Sequence, residues 1–291
     1  MTSPCSRLPQ VKTQNIGDGD LTYLLYDGQG PTLIMLHATG FLPWLWHPIA
    51  RALSPTCRVI APYFCDHRES DPEKGGLDWM ILAEDFAAFC KGLNIEAPCL
   101  VGHSMGATVL TIAAAQYELA PAGMILIEPI FLPRKFYRTR FRVQDHPLAA
   151  KAIKRRNRWR DEPEALSYLK SRALFEKWDA EILSLYVRYG MKRNEENGLE
   201  LACSPKREAA LFMGSVRCDP WPLLPQVLCP VLLLEGEHSE NRAIIDLQKA
   251  VSLFPNAAYR LVRDVGHLIP MEKPGEITSA ALEFFSPFPT Q

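Results

Sequence analysis

Residues 97–117 read APCLVGHSMGATVLTIAAAQY, and the punctuation of this stretch decides the fold. Pro98 to Val101 is a short apolar run with the length of a buried strand. Gly102-His103-Ser104-Met105-Gly106 follows at once, and Ala107, Val109, Leu110, Ile112, Ala113 and Ala114 continue without a breaker, which predicts a helix. A strand that turns straight into a helix leaves its corner residue in strained backbone. The positions two before and two after must be small, because side chains at Gly102 and Gly106 would strike the adjoining strand and helix. Ser104 is the corner residue, so its hydroxyl is expected to stand clear above the sheet edge. The helix behind it aims unpaired N–H groups at the same place, that of Met105 among them. A serine so placed is a candidate nucleophile.

Working outward, Leu21 to Tyr26 alternates weakly and predicts part of an N-terminal hairpin, while Thr32 to Leu36 does not alternate and predicts a buried central strand. His37-Ala38-Thr39-Gly40 follows, then an aromatic cluster of Phe41, Trp44 and Trp46, a helix-like stretch from His47 to Leu53, and a strand over Arg58 to Pro62. The loop from Tyr63 to Pro72 is polar; Cys65 beside His67 is too small a set for a metal site. Leu77 to Leu93 carries a helical period, and Met124 to Ile127 is a further buried strand ending in Glu128.

From Pro133 to Pro222 the alternation of strand and helix gives way to helical stretches rich in Arg, Lys and aromatic residues, punctuated by proline. This span holds twenty Lys or Arg against twelve Asp or Glu, a net +8, while the remainder carries −9. Its arginines either favour an anionic substrate or form solvated helix faces, and the second reading is the more economical. Beyond it come a strand over Val231 to Leu234, a helix over Asn241 to Phe254, a strand over Ala257 to Leu261 and a last helix over Lys273 to Phe285.

In this context the Gly-His-Ser-Met-Gly turn resembles that of the α/β-hydrolase family, and the resemblance extends over nearly the whole chain. It implies a mostly parallel central sheet flanked by helices, with a helical cap inserted after the sixth strand. Residues 1–132 and 223–291 would form the core domain and 133–222 the cap. It also implies that the turn at His37 to Gly40 supplies a second oxyanion N–H, that of Thr39 beside Met105. Ala38 stands where the family usually has glycine. His37 is read as a brace for this loop and, with Phe41, Trp44 and His103, as part of the substrate pocket.

A serine hydroxyl needs a base, and His267, on the loop after the last strand, is the candidate. Gly266-His267 followed by Pro270 and Glu272-Lys273-Pro274 is similar to the family's histidine motif. The acid is less plain. The family's usual place after the strand at Val231 is held here by Ser239, which carries no charge. Ile127-Glu128-Pro129 resembles the arrangement of a haloalkane-dehalogenase-like branch, so Glu128 is preferred, with Glu240 or Glu237 as alternatives. That branch's dehalogenases, like the epoxide hydrolases, use aspartate as nucleophile, so Ser104 implies neither reaction. The resemblance implies hydrolysis of a carboxylic ester or thioester through an acyl-enzyme. Hydrolysis of a C–C bond or a lactone, and a non-catalytic ligand-binding scaffold, are the other readings.

The chain of 291 residues is long enough for a large core, and its net charge of −1 gives no reason to expect nucleic acid or an anionic membrane as partner. Met1 to Gln14 has no apolar run of signal-peptide type, and the eight cysteines lack C-x-x-C or metal-like spacing. A cytoplasmic protein without cofactor or metal, acting on a small molecule that is partly apolar, is the expectation.

Overall fold

The computed structural model describes residues 8–64, 67–117 and 119–286; Cys5, Cys65 and Asp66 lie outside the described residues. Its strands are β1 (Gln10–Asn15), β2 (Asp20–Tyr26), β3 (Thr32–Leu36), β4 (Arg58–Pro62), β5 (Cys99–His103), β6 (Gly123–Ile127), β7 (Met191–Arg193), β8 (Leu199–Leu201), β9 (Val231–Gly236) and β10 (Ala257–Val262). The helices are α1 (His47–Leu53), α2 (Trp79–Gly92), α3 (Met105–Gln116), α4 (Arg134–Tyr137), α5 (Pro147–Ala152), α6 (Glu162–Lys170), α7 (Ala180–Tyr189), α8 (Pro205–Gly214), α9 (Leu247–Val251), α10 (Ile269–Glu272) and α11 (Pro274–Phe285).

Eight strands form one sheet in the order β1-β2-β4-β3-β5-β6-β9-β10. β1 with β2 and β2 with β4 are antiparallel. Every other neighbour runs parallel. β3, β5, β6 and β9 are buried at every residue, as their unbroken apolar runs require of strands covered on both faces. Along β3, Ile34 and Leu36 meet Leu82, Phe86 and Phe89 of α2 and Leu110 of α3 on one face. Leu33 and Met35, one residue out of phase, meet Ile49 and Leu53 of α1 and Ile277 and Ala281 of α11 on the other. Each such side chain, fully buried, contributes about 1.5–3 kcal/mol.

The chain leaves β3 for β4 on one side and returns to β5 on the other. β3 and β5 are therefore neighbours whose connections diverge, and the crevice between their C-terminal ends is where open parallel sheets form sites. The loops that open there are Leu36 to Gly40 and His103 to Met105.

The segment between β6 and β9 departs in part from the helical reading. α6 and α7 pack with a hairpin of β7 and β8, whose turn is tied by the Asn194 side chain accepting from the N–H groups of Glu196 and Gly198. Three-residue strands are too short to show a period of two, so nothing in the sequence distinguished them. Ile182, Leu183, Tyr186, Leu199 and Leu201 of this segment share one apolar cluster with Ala38, Phe41, Leu45 and Leu268. It thus packs against the loop that follows β3 and against Leu268.

Several of its arginines form surface pairs, among them Arg142 with Asp145, Arg156 with Glu164 and Arg160 with Asp161. Arg155 differs. Its guanidinium donates to Glu208 at 2.7 Å and to the Tyr186 hydroxyl at 3.2 Å, linking three elements of the segment.

One further expectation changes. The helix expected over Asn241 to Phe254 is broken: a 3-10 turn spans Glu240–Ala243, and α9 starts only after Asp246, whose carboxylate accepts from the Lys249 N–H. In the polar loop, Arg68 forms a two-pronged ion pair with buried Asp85, which His67 also meets at 2.9 Å. Among the described residues no helix is long and apolar enough to cross a membrane. The six cysteines among them are unpaired, and burial pushes the thiols of Cys90 and Cys99 up to about 12.

Candidate active site

Ser104 sits between β5 and α3 with φ 55° and ψ −114°, a conformation rare for a residue with a side chain. The two flanking glycines follow from contact distances. A Cβ on Gly102 would lie 2.6 Å from the Ala107 backbone, and one on Gly106 would lie 2.4 Å from the Leu36 carbonyl oxygen. Neither neighbour can yield, because both are main chain. The corner is held by the Ser104 N–H donating to the Ile127 carbonyl at 2.9 Å. A further tie comes from Thr108, whose hydroxyl donates to the Ser104 carbonyl at 3.2 Å and accepts from the Ile130 N–H at 2.8 Å. That one side chain couples the serine turn to the segment just after Glu128.

The turn after β3 places its left-handed residue at Gly40, with φ 76°, while Ala38 stays out of that region. Alanine in the usual glycine position is therefore accommodated without strain. Among the described residues the backbone N–H groups of Thr39 and Met105 find no acceptor in the chain, although both residues are buried. Buried N–H groups are rarely left unmatched.

Glu128 follows β6 in a left-handed conformation, φ 51°, and is wholly buried. The register of β6 on β9 pairs Ile127 with Leu234, so the next residue outward lies against the end of β9. There the carboxylate takes three hydrogen bonds. The Gly236 N–H donates to Oε1 at 2.7 Å, the Ser239 hydroxyl to Oε2 at 2.7 Å, and His267 Nδ1 lies 3.0 Å from Oε2. Ser239, at the family's usual acid position, thus donates to Glu128. The alternatives do not reach the histidine: Glu240 is exposed, and Glu237 accepts instead from the Asp264 N–H at 3.0 Å.

His267 is fixed by its loop. The His238 N–H donates to the Val265 carbonyl, and Gly266 donates to Glu272 Oε2. Gly236 permits the crossing, since a Cβ there would lie 2.2 Å from the Gly266 carbonyl oxygen. With Nδ1 facing Glu128, the nitrogen that can accept a proton is Nε2. The Asn241 amide nitrogen also lies 2.9 Å from Nδ1, a contact absent from the sequence reading.

The four residues expected to line a substrate pocket all have partners within the chain. His37 is buried, with Nδ1 donating to the Ala38 carbonyl at 2.8 Å and Nε2 accepting from the Phe64 N–H at 2.9 Å. It braces the loop. Trp44 stacks on Tyr189 of α7 at 3.6 Å between ring centroids and donates Nε1 to the Tyr63 hydroxyl. His103 is fully buried and donates Nε2 to the His267 carbonyl at 2.9 Å. Burial, with the neighbouring His267 ring adding to it, holds its pKa well below the ordinary histidine value, so it stays neutral. Phe41 also packs on the segment between β6 and β9, edge-on to Trp178 and Tyr186.

Thr108, Ser239 and Asn241 are the site residues that the sequence reading missed. A mid-helix threonine four residues after the serine was a legible signal, since such hydroxyls bond the carbonyl one turn back. The other two depend on strand pairing and had none.

Residues 33–281 match the family model described as the alpha/beta hydrolase family. A Haemophilus influenzae protein with the provisional name esterase/lipase is 28% identical over 259 residues, covering 88% of this chain and 83% of its own. The 2-(acetamidomethylene)succinate hydrolase of Mesorhizobium japonicum is 26% identical over 258 residues, covering 89% of this chain and 88% of its own. The crystal structure of an E-2-(acetamidomethylene)succinate hydrolase has a TM-score of 0.80 at 23% identity, covering 96% of this chain and 99% of that one, a likeness of fold.

Proposed function

Because the chain belongs to the alpha/beta hydrolase family, we propose that it is a serine hydrolase acting on a carboxylic ester or thioester through an acyl-enzyme. The observation that carries this reading is the pair Glu128–His267, 3.0 Å apart, at the sheet end where Ser104 turns the corner. Glu128, fed by two donors of its own, holds the proton of His267 on Nδ1 and so keeps Nε2 as the base. Nε2 takes the Ser104 proton as the hydroxyl oxygen attacks the carbonyl carbon. The negative oxygen then formed is met by the N–H groups of Thr39 and Met105, each worth about a hundred- to a thousand-fold in rate. Collapse of this intermediate returns the proton from Nε2 to the departing alcohol or thiol. Water, deprotonated by the same nitrogen, releases the acid and restores Ser104.

Residues 133–222 act as the cap in this reading, and Phe41 with Trp178 and Tyr186 makes the apolar wall that favours a partly apolar group. The provisional name of the Haemophilus relative supports an ester substrate. Two features had favoured a non-catalytic scaffold, Ala38 and the uncharged Ser239. Both lose force, since the strained φ falls on Gly40 and Ser239 serves Glu128. The unpaired cysteines support a reducing, cytoplasmic setting.

The test is intact mass after treatment with a fluorophosphonate, beside Ser104→Ala and His267→Ala. A single adduct absent from both variants is expected. A folded wild-type protein that takes no adduct refutes the proposal.

A further inference from the structure

His267 Nδ1 has two neighbours within hydrogen-bond distance, Glu128 Oε2 at 3.0 Å and the Asn241 amide at 2.9 Å. One ring nitrogen cannot satisfy a carboxylate and an amide N–H together. If it keeps its proton it can only donate, and if it loses the proton it faces the lone pairs of a buried carboxylate. Glu128 decides between these states, because its two oxygens already accept from Gly236 and Ser239 and leave the ring as the donor. Nδ1 therefore holds the proton. The Asn241 amide then meets it with Oδ1, which a turn of about 180° presents in the same space.

We propose that Asn241 is a positioning residue for His267, a second acceptor on Nδ1–H that fixes the ring's plane and tautomer together with Glu128. The inference rests on the serine-hydrolase reading of the site.

The backbone around Asn241 is built to hold it there. Ser239, two residues earlier, is anchored on Glu128. The Asn241 carbonyl accepts from the N–H groups of Ile244 and Ile245, closing the 3-10 turn. Arg242, one residue later, donates to the Glu237 carbonyl at 3.2 Å and lies 3.8 Å from the buried Glu235 carboxylate. The helix expected over this stretch is interrupted where the amide is delivered. An amide adds an acceptor to Nδ1–H without adding a second buried charge beside Glu128, which a carboxylate at the same position would do at the cost of mutual repulsion.

The placement makes position 241 a second seat for the acid. Three variants test this: Asn241→Ala, Glu128→Gln, and Glu128→Gln with Asn241→Asp. Two readouts are compared, the rate of fluorophosphonate labelling and the His267 tautomer, read by nitrogen-15 NMR of histidine-labelled protein and assigned with His267→Ala. Asn241→Ala is expected to slow labelling about ten-fold, the worth of one hydrogen bond to a group that becomes charged, and to lower kcat rather than raise KM. Glu128→Gln is expected to move the proton to Nε2. Adding Asn241→Asp is expected to bring it back to Nδ1 and to recover at least about ten-fold in labelling. Unchanged labelling in Asn241→Ala, or a double variant that keeps the Nε2–H tautomer, overturns the inference. A wild type that takes no label while its tautomer still follows the variants refutes the hydrolase reading and leaves the positioning role standing.

Discussion

Replacing Glu128 by glutamine isolates the weakest link of the proposed mechanism, since it keeps shape and removes only charge and one acceptor. Three donors converge on the two carboxylate oxygens: the Gly236 N–H at 2.7 Å, the Ser239 hydroxyl at 2.7 Å and His267 Nδ1 at 3.0 Å. A glutamine has one oxygen to offer. The Gly236 N–H is part of a paired strand and cannot turn away, so the amide oxygen must face it. The NH2 then faces Ser239, whose hydroxyl rotates to accept, and His267, which can accept only by giving up its Nδ1 proton. The ring is left as the Nε2–H tautomer, which cannot deprotonate Ser104. In the Ser-His-Asp systems where this exchange has been made, the wrong tautomer lowers kcat about 10⁴-fold, close to 5 kcal/mol in the barrier. The expected result here is a loss of that size in fluorophosphonate labelling and in turnover of an activated ester. Folding should survive, because the lost charge-assisted bond costs about 1.5–3 kcal/mol. Glu240→Gln, an exposed exchange, is expected to behave as wild type. If Glu128→Gln keeps its rate within about ten-fold, or Glu240→Gln falls as far, the assignment of the acid is wrong.

Two further outcomes follow from packing and from burial. Gly106→Ala sets a Cβ 2.4 Å from the Leu36 carbonyl oxygen and 2.8 Å from that of His37, both fixed main chain. A loss of about 1–3 kcal/mol or more is expected, seen as a lower thermal midpoint together with slower labelling, and an unchanged midpoint contradicts the close fit. His103 is kept neutral in the fold by burial, whereas the unfolded chain protonates it below about pH 6.5. The unfolded state then holds more protons, so acidification favours it, by up to about 1.4 kcal/mol per pH unit below about 6.5 and down to the lowered folded pKa. His103→Gln keeps an N–H for the His267 carbonyl but does not titrate. Its thermal midpoint should fall less steeply than wild type between about pH 6.5 and 4.5, and parallel curves rule out the effect.

Local sterics wrote the turn at Ser104 and the sheet into the chain. Gly102 and Gly106 bracket Ser104 because main chain lies within 3 Å of where their Cβ atoms would be, and that demand repeats wherever a strand turns straight into a helix. Apolar runs without alternation at Thr32–Leu36, Cys99–His103, Gly123–Ile127 and Val231–Gly236 reported strands covered on both faces. Glu128 could be preferred from sequence alone because a carboxylate at the end of a buried strand has few reasons to be there.

What surrounds it was decided only in three dimensions. Ser239 and His267 lie 111 and 139 residues from Glu128, and their convergence depends on the register of β6 on β9 and on the loop that crosses Gly236. The same holds for the partners of three further side chains. His37 and Trp44 follow β3 and His103 directly precedes Ser104, which is all the sequence can report. Whether such a group faces a ligand depends on what fills the space next to it. That space is filled by the Phe64 N–H, the ring of Tyr189 and the His267 carbonyl, each brought in from a distant part of the chain. Spacing along a strand or turn fixes backbone shape because its constraints are local; the partner of a side chain is fixed by strand order and loop crossing, which no local pattern records.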